Sequence, residues 1–196
     1  MNIDKFWEIM ARCKESNDPM SSLGEILRQL PLGEVREFGR YFLWMEGYAF
    51  RWGIWGAAYL LNGGCRDDGF TDFRRGLILQ GRTVYEAVLK DPDHLHTHWG
   101  QGPIDCEGIG CVAFDVYAEK MKISGEAAMN ELYDYSYLQK PPTHIEGTRY
   151  DWPNVEDWDF DDEQENRKRL PRLAQLSSQH YESQLAQWAA IGGIAA

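Results

Sequence analysis

The run from Glu34 to Asn62 constrains this chain more than any other part of it. Within the run, Val35, Phe38, Phe42, Met45 and Ala49 recur at spacings of three or four, which lays one apolar stripe along an α-helix. After Trp52-Gly53 the pattern becomes apolar on every side through Leu61, as in a helix enclosed by neighbours, and Asn62-Gly63-Gly64 marks its end. Tyr41 to Leu61 is long enough to cross a bilayer, but Glu46 and Arg51 within it, with Gly47, Gly53 and Gly56, argue against a membrane span. A buried central helix pair is the expectation.

The flanking sequence extends the helical reading. A first helix is expected with Asp4 as N-cap and Phe6, Ile9, Met10 and Cys13 on one face, ended by Asn17-Asp18-Pro19. Ser22 and Glu25 have capping-box spacing for a second helix closed before Pro31. Asp68 is expected to cap a helix carrying Phe70, Phe73, Leu77 and Ile78, and Thr83 to cap a shorter one through Lys90. Asp91 to Gly110 has neither helical nor strand periodicity and reads as a long surface loop. Cys111, Phe114, Ala118 and Met121 restore a helical face, and Ala127 to Tyr137 adds a further helix before Lys140-Pro141-Pro142. No run has convincing strand alternation. The expected fold is therefore all-α: one irregular multi-helix domain with a long loop and an extended acidic C-terminal arm. Residues 1–150 form the helical core, 151–176 an acidic aromatic arm packed on it, and 177–196 a C-terminal helix or tail.

Charge narrows the partners. The 196 residues carry a net charge of −11, whereas a surface that tracks phosphates needs clustered Lys and Arg. Nucleic acid is an unsuitable partner, and a basic protein a suitable one. The start, Met1 to Trp7, lacks the basic and apolar segments of a secretory signal, so cytoplasmic residence is expected. The four cysteines, Cys13, Cys65, Cys106 and Cys111, are too sparse for a disulfide framework and read as reduced thiols.

Three groupings have chemical potential. The loop Asn62, Gly63, Gly64, Cys65, Arg66, Asp67, Asp68, with Arg74 beyond it, is the densest polar group; two adjacent carboxylates can divide acid and base roles or hold a hard cation. The same residues are also what helix ends ask for: glycines to stop one helix, Asp68 to cap the next, and Asp67 to pair with Arg66 or Arg74. Cys65 just before a helix N-terminus is a candidate low-pKa thiol, with no histidine placed beside it by local sequence. In an extended segment His94, His96 and His98 would share one side, near Cys106 and Cys111 in sequence, but without CxxC spacing they make a poor zinc set. No catalytic residue, metal or cofactor is assigned. The aromatic residues Trp44, Trp52, Trp55 and Tyr59 read as core. The arm holds eight acidic residues and no Lys or Arg between Asp151 and Glu165, interleaved with Trp152, Trp158 and Phe160.

Several of these residues also carry a family likeness: Phe6-Trp7, Arg51-Trp52, the run Trp55 to Cys65, Asp67-Asp68-Gly69-Phe70, Phe73-Arg74 and Gln80-Gly81-Arg82. As a set they resemble the bacterial family called domain of unknown function 4240, over roughly residues 2 to 176. Gly53, Gly76 and the histidine loop depart from its pattern, where bulkier or more polar residues are expected at the two glycines. The resemblance implies a mainly helical domain and no established activity.

Two functional expectations follow. The first is a non-enzymatic acidic binding protein, an immunity or antidote protein that covers a basic toxin or nuclease through Trp152, Asp157, Trp158, Asp159, Phe160, Asp161 and Asp162. The second is a small-molecule enzyme or sensor using Asn62, Cys65, Arg66, Asp67, Asp68 and Arg74. A cavity over the Asp67-Asp68 loop favours the second; a convex acidic face with exposed tryptophans favours the first.

Overall fold

In a computed structural model, residues 1–132 and 157–190 are described, the side chains of 188–190 excepted, and all regular structure among them is helical. In chain order the helices are α1 (Ile3–Lys14), α2 (Pro19–Gln29), α3 (Leu32–Tyr48), α4 (Trp52–Asn62), α5 (Asp67–Leu79), α6 (Arg82–Lys90), α7 (Val112–Met121), α8 (Gly125–Leu132), α9 (Glu163–Arg169) and α10 (Pro171–Ala190). Short 3-10 helices, Pro92–His98 and Glu107–Gly110, lie between α6 and α7. The expected α8 continuation to Tyr137 and the start of the arm, Trp152 included, lie outside the described residues.

The amphipathic stripes meet as the spacing predicts. Phe6, Ile9, Met10 and Cys13 of α1 and Val35, Phe38, Phe42, Met45 and Ala49 at α3 are all buried, joined by Phe70, Phe73, Leu77 and Ile78 of α5 and Tyr85 of α6. Phe6 contacts Phe38 with ring centroids 5.0 Å apart, and Trp7 contacts Tyr85 at 5.2 Å. The buried Tyr85 hydroxyl donates to Met45 O at 2.6 Å, and burial drives its pKa well above the ordinary tyrosine value. On the far side of α3, helices α7, α2 and α8 close the core.

Several helix starts differ from expectation, each because a neighbouring acceptor is better placed. Asn2, not Asp4, caps α1 by accepting from Lys5 N at 2.9 Å, and Asp4 in the first turn pairs with Arg82 at 2.8 Å. Asp18 caps α2 by accepting from Ser21 N at 3.0 Å, with Pro19 in the first turn, so Ser22 and Glu25 lie inside the helix. The α6 helix begins at Arg82 behind Gly81, whose φ of 92° suits glycine, and Thr83 is not its cap. Cys111 precedes α7 and is exposed rather than part of an apolar face.

Asp91 to Gly110 is more than a surface loop. Its 3-10 turns hide the periodicity, while Leu95, Ile104 and Ile109 anchor it in the core. Its return path crosses α5 at Gly76, where a Cβ would stand 1.4 Å from Ile104 O; Cys106 N then donates to Asp72 O at 3.1 Å. This crossing gives a packing reason for glycine at 76. Earlier in the same segment, buried Asp93 accepts from the backbone N–H groups of Arg172 and Leu173 at 3.0 and 2.9 Å and from Arg172 Nε at 2.7 Å. A carboxylate from a distant turn thereby caps α10 behind Pro171. The helix continues unbroken through position 176.

The α4 helix is only partly enclosed. Ile54, Gly56, Ala57 and Ala58 are buried, but Trp52, Trp55, Tyr59, Leu60 and Leu61 are half-buried. The arm covers this outer face: Trp158 and Phe160 sit over Gly56, where an added Cβ would meet Trp158 Cζ2 at 2.5 Å and Phe160 Cε1 at 3.1 Å. The all-round apolar pattern of α4 thus reflects two different surfaces, the core on one side and the arm on the other.

Candidate functional site

The polar loop after α4 is built by its glycines. Gly63 adopts the left-handed conformation, φ 68° and ψ 30°, and Gly64 N donates back to Tyr59 O at 2.9 Å, so α4 stops within one residue of Asn62. Trp55 Nε1 donates to Cys65 O at 2.9 Å, which pins the far end of the loop. The next helix starts at Asp67 behind Arg66, so Asp68 is a first-turn residue and not the cap; its carboxylate accepts from the adjacent Gly69 N at 2.8 Å.

This loop forms one wall of an open cleft of about 1240 Å³. Asn62, Cys65, Arg66 and Asp68 line it together with Tyr59, Trp99, Asp105 and His180, and Tyr181 and Gln184 complete the α10 side. Four parts of the chain converge there: the end of α4, the start of α5, the 99–105 segment and the middle of α10. The Gly76 crossing delivers Asp105, whose carboxylate lies 3.4 Å from Asn62 Nδ2. Trp99 meets the His180 ring edge-on at 6.0 Å, and the Gln184 amide nitrogen lies 3.0 Å from His180 Nε2.

Electrostatics in the cleft are set by its carboxylates. Burial, followed by the charges of Asp105 and Asp68, pushes the Cys65 thiol up to about 11. The helix N-terminus therefore does not make Cys65 a reactive thiolate at neutral pH, contrary to the expectation from its position. Burial of part of the Asp105 carboxyl raises its pKa, opposed by the hydrogen bond from Asn62 and reinforced by the charge of Asp72.

Asp67 and Arg74 stand apart from this cleft. Asp67 is exposed, with its carbonyl accepting from the Thr71 hydroxyl at 3.1 Å. Arg74 is buried under α3: it donates to Glu46 O at 2.9 Å, and its guanidinium lies 4.7 Å from the Phe50 ring centroid. Its role is to fill the core with a satisfied cation.

The described part of the arm folds on itself. Trp158 Nε1 donates to Asn166 Oδ1 at 2.8 Å, buried Asn166 donates to Phe160 O at 2.7 Å, and Trp52 Nε1 donates to Trp158 O at 3.0 Å. Asp157, Asp159, Asp161 and Asp162 are exposed. Three of these acids also have local work: Asp162 caps α9, Asp159 accepts from Asp161 N at 3.0 Å, and Asp161 accepts from the Tyr59 hydroxyl at 2.5 Å.

The histidines are placed by a 3-10 turn rather than an extended segment. His96 Nδ1 lies 2.9 Å from Asp93 O, and the His94 and His96 rings are perpendicular at 6.1 Å. Among the described residues no group of three or more His, Cys, Asp or Glu side chains is arranged to hold a metal ion. None of the described helices is long and apolar enough to cross a membrane.

Sequence reading missed Trp99, Asp105, His180 and Tyr181 as cleft residues. Gly100, Gly102 and Pro103 were the available signal for a sharply turning segment, but nothing in the sequence said it would face Asn62.

Among known proteins, a family model described as "Protein of unknown function (DUF4240)" matches residues 1–119, and the chain belongs to that family. The resemblance is expected over roughly residues 2 to 176, and the matched stretch covers the part of it up to residue 119. No curated protein and no solved structure matches.

Proposed function

We propose that this DUF4240 protein is a small-ligand binding protein whose site is the cleft between α4, α5, the 99–105 segment and α10. One observation carries the reading: Asn62, Cys65, Arg66 and Asp68 stand on the wall of the same cavity as Trp99, Asp105, His180 and Tyr181. A concave site with aromatic walls and a few converging polar groups is the usual form of a small-molecule site. The test is a thermal-shift screen of metabolite-sized compounds on the full chain. Hits are expected whose stabilisation disappears in Trp99→Ala and His180→Ala but persists in Arg167→Ala on the outer face of α9. Hits insensitive to both cleft variants overturn the reading.

A second reading has its own observation. Asp157, Asp159, Asp161 and Asp162 are exposed while Trp158 and Phe160 are half-buried against α4, so the arm presents its charge outward and turns its rings toward the helix. An acidic antidote for a basic toxin or nuclease partner would use that charge to speed encounter. Since Trp158 is packed on α4, the charges rather than the rings would meet the partner. Neutralising Asp157 and Asp159 should then slow association with the captured basic partner severalfold, and raised salt should imitate it. An unchanged association rate would remove this reading.

A further inference from the structure

The cleft has a definite charge preference. We infer that its ligand is a small organic cation, an ammonium group held toward Asp68 and Asp105 with its carbon framework against Trp99 and Tyr59. This inference rests on the cleft reading above and adds the ligand class.

Three features of the walls support it. First, Asp68 and Asp105 face one cationic lining residue, Arg66, so the formal charge of the lining is negative, in a chain whose net charge is −11. Second, the positive N-terminal end of α5 is already answered by acids of its own first turn, which leaves Arg66 as the cationic side chain opposing them: Asp67 and Asp68 both stand there, and Asp68 accepts from Gly69 N at 2.8 Å. Third, beside the polar Asn62, Ser177, His180 and Gln184 the lining carries Tyr59, Leu60, Trp99, Pro103 and Tyr181, the kind of surface on which ammonium groups gain from ring faces and from burial of their carbon atoms. Burial is the main reason the Cys65 thiol is raised, and the charges of Asp105 and Asp68 add to it, which places both carboxylates within electrostatic reach of Cys65.

Cys65 also supplies the measurement, because it stands in the cleft wall while Cys111, exposed just before α7, is not among the residues that line the cleft. Two thiosulfonate reagents of similar size, one bearing trimethylammonium and one bearing sulfonate, are reacted with the full chain, and modification of each cysteine is followed by peptide mass spectrometry. The cation-to-anion rate ratio at Cys65 is expected to exceed that at Cys111 by about tenfold, since a unit charge within several ångströms of a carboxylate at a partly buried site is attracted if positive and repelled if negative. Asp68→Asn retains the acceptor for Gly69 N–H and Asp105→Asn retains one for Asn62; both should fold, as checked by circular dichroism, and both should reduce the ratio. Equal ratios at Cys65 and Cys111 overturn the inference.

Protection of Cys65 by butylammonium, butanol and butyrate then separates the two readings. Protection by butylammonium alone, weakened in Asp105→Asn, supports the cation. Protection by butyrate or butanol to an equal or greater extent leaves the cleft as a binding site and overturns the ligand class. No protection by any of the three, up to tens of millimolar, counts against both.

Discussion

The buried junction of α1, α3, α5 and α6 and the outer layer of α4, α9 and α10 are both rich in aromatic rings, yet they are held in different ways. In the junction, Phe6, Phe38, Phe70 and Phe73 are fully buried and interlock by shape. In the outer layer the rings are half-buried and tethered by direction: Trp52, Trp55 and Trp158 each donate an indole N–H to a specific acceptor, Trp158 O, Cys65 O and Asn166 Oδ1. Packing of the first kind tolerates little change in volume, whereas the second depends on a few hydrogen bonds whose loss leaves polar groups unsatisfied. The cleft lies on the second kind of structure. Its walls are therefore fixed by single polar residues, and those residues are where the comparison can be tested.

The largest effect is expected where a backbone crossing fixes both layers at once. Gly76→Ala would drive a methyl group into Ile104 O, 1.4 Å away, and should destabilise the chain by about 4 kcal/mol or more or prevent folding, read by denaturant titration. A mild effect would mean that the 103–106 segment can lift off α5, and with it Asp105.

Next, one stacked pair spans the boundary between the layers. Phe70 and Trp55 are 4.7 Å apart with planes inclined by 12°, but Phe70 is fully buried and Trp55 is half-buried. Phe70→Ala should cost about 3–5 kcal/mol and Trp55→Ala about 2–3 kcal/mol, since less area leaves water in the second case. Equal costs would erase the distinction between the layers.

A directional contact is expected to act locally. Asp93→Ala leaves the Arg172 and Leu173 N–H groups without their acceptor and should lower stability by about 2–4 kcal/mol. Hydrogen exchange should show the loss first in α10 and the cleft wall it supplies, with α1 and α3 still protected. Uniform loss of protection would make the outer layer part of the same cooperative unit as the core.

Away from both layers, Lys122 ends α7 at φ 56°, a conformation costly for a residue with a Cβ. Lys122→Gly should raise stability by about 0.5–1 kcal/mol, visible as a small rise in the denaturation midpoint.

The smallest effect is expected from the cleft carboxyl. Because the folded-state pKa of Asp105 is raised, the fold takes up its proton more readily than the unfolded chain does. Its contribution to stability is therefore most favourable below the unfolded carboxylate pKa and is lost as pH rises through the folded value. Asp105→Asn should match the parent in acid and be the more stable of the two at neutral pH; the opposite order would mean that the carboxylate is paired in the fold.

How far these features can be read from sequence depends on the range of the contacts involved. The stripes on α1, α3 and α5 and the glycine stop after Asn62 follow from spacing and from the conformations that Gly63 and Gly64 alone reach easily. Half of the cleft, Asn62 to Asp68, is legible as a polar loop for the same reason. Helix starts were less legible because several residues compete for each cap: Asn2 with Asp4, and Asp18 with Ser22. Periodicity at α4 showed an apolar helix but could not separate the face held by the core from the face held by Trp158 and Phe160.

The amino-acid sequence by itself determined an all-α chain of strong acidic character, its central helices, and the loop that joins α4 to α5. These are consequences of helical period, glycine conformation and charge, all of which act within a few residues. Only the tertiary structure decided that Asp93 would cap a helix eighty residues later, that Gly76 would admit the chain carrying Asp105, and that Arg74 would be core while Asp68 faces a cleft. Those outcomes depend on which surfaces meet when the helices pack, and contacts between segments far apart in the chain leave no period in the sequence.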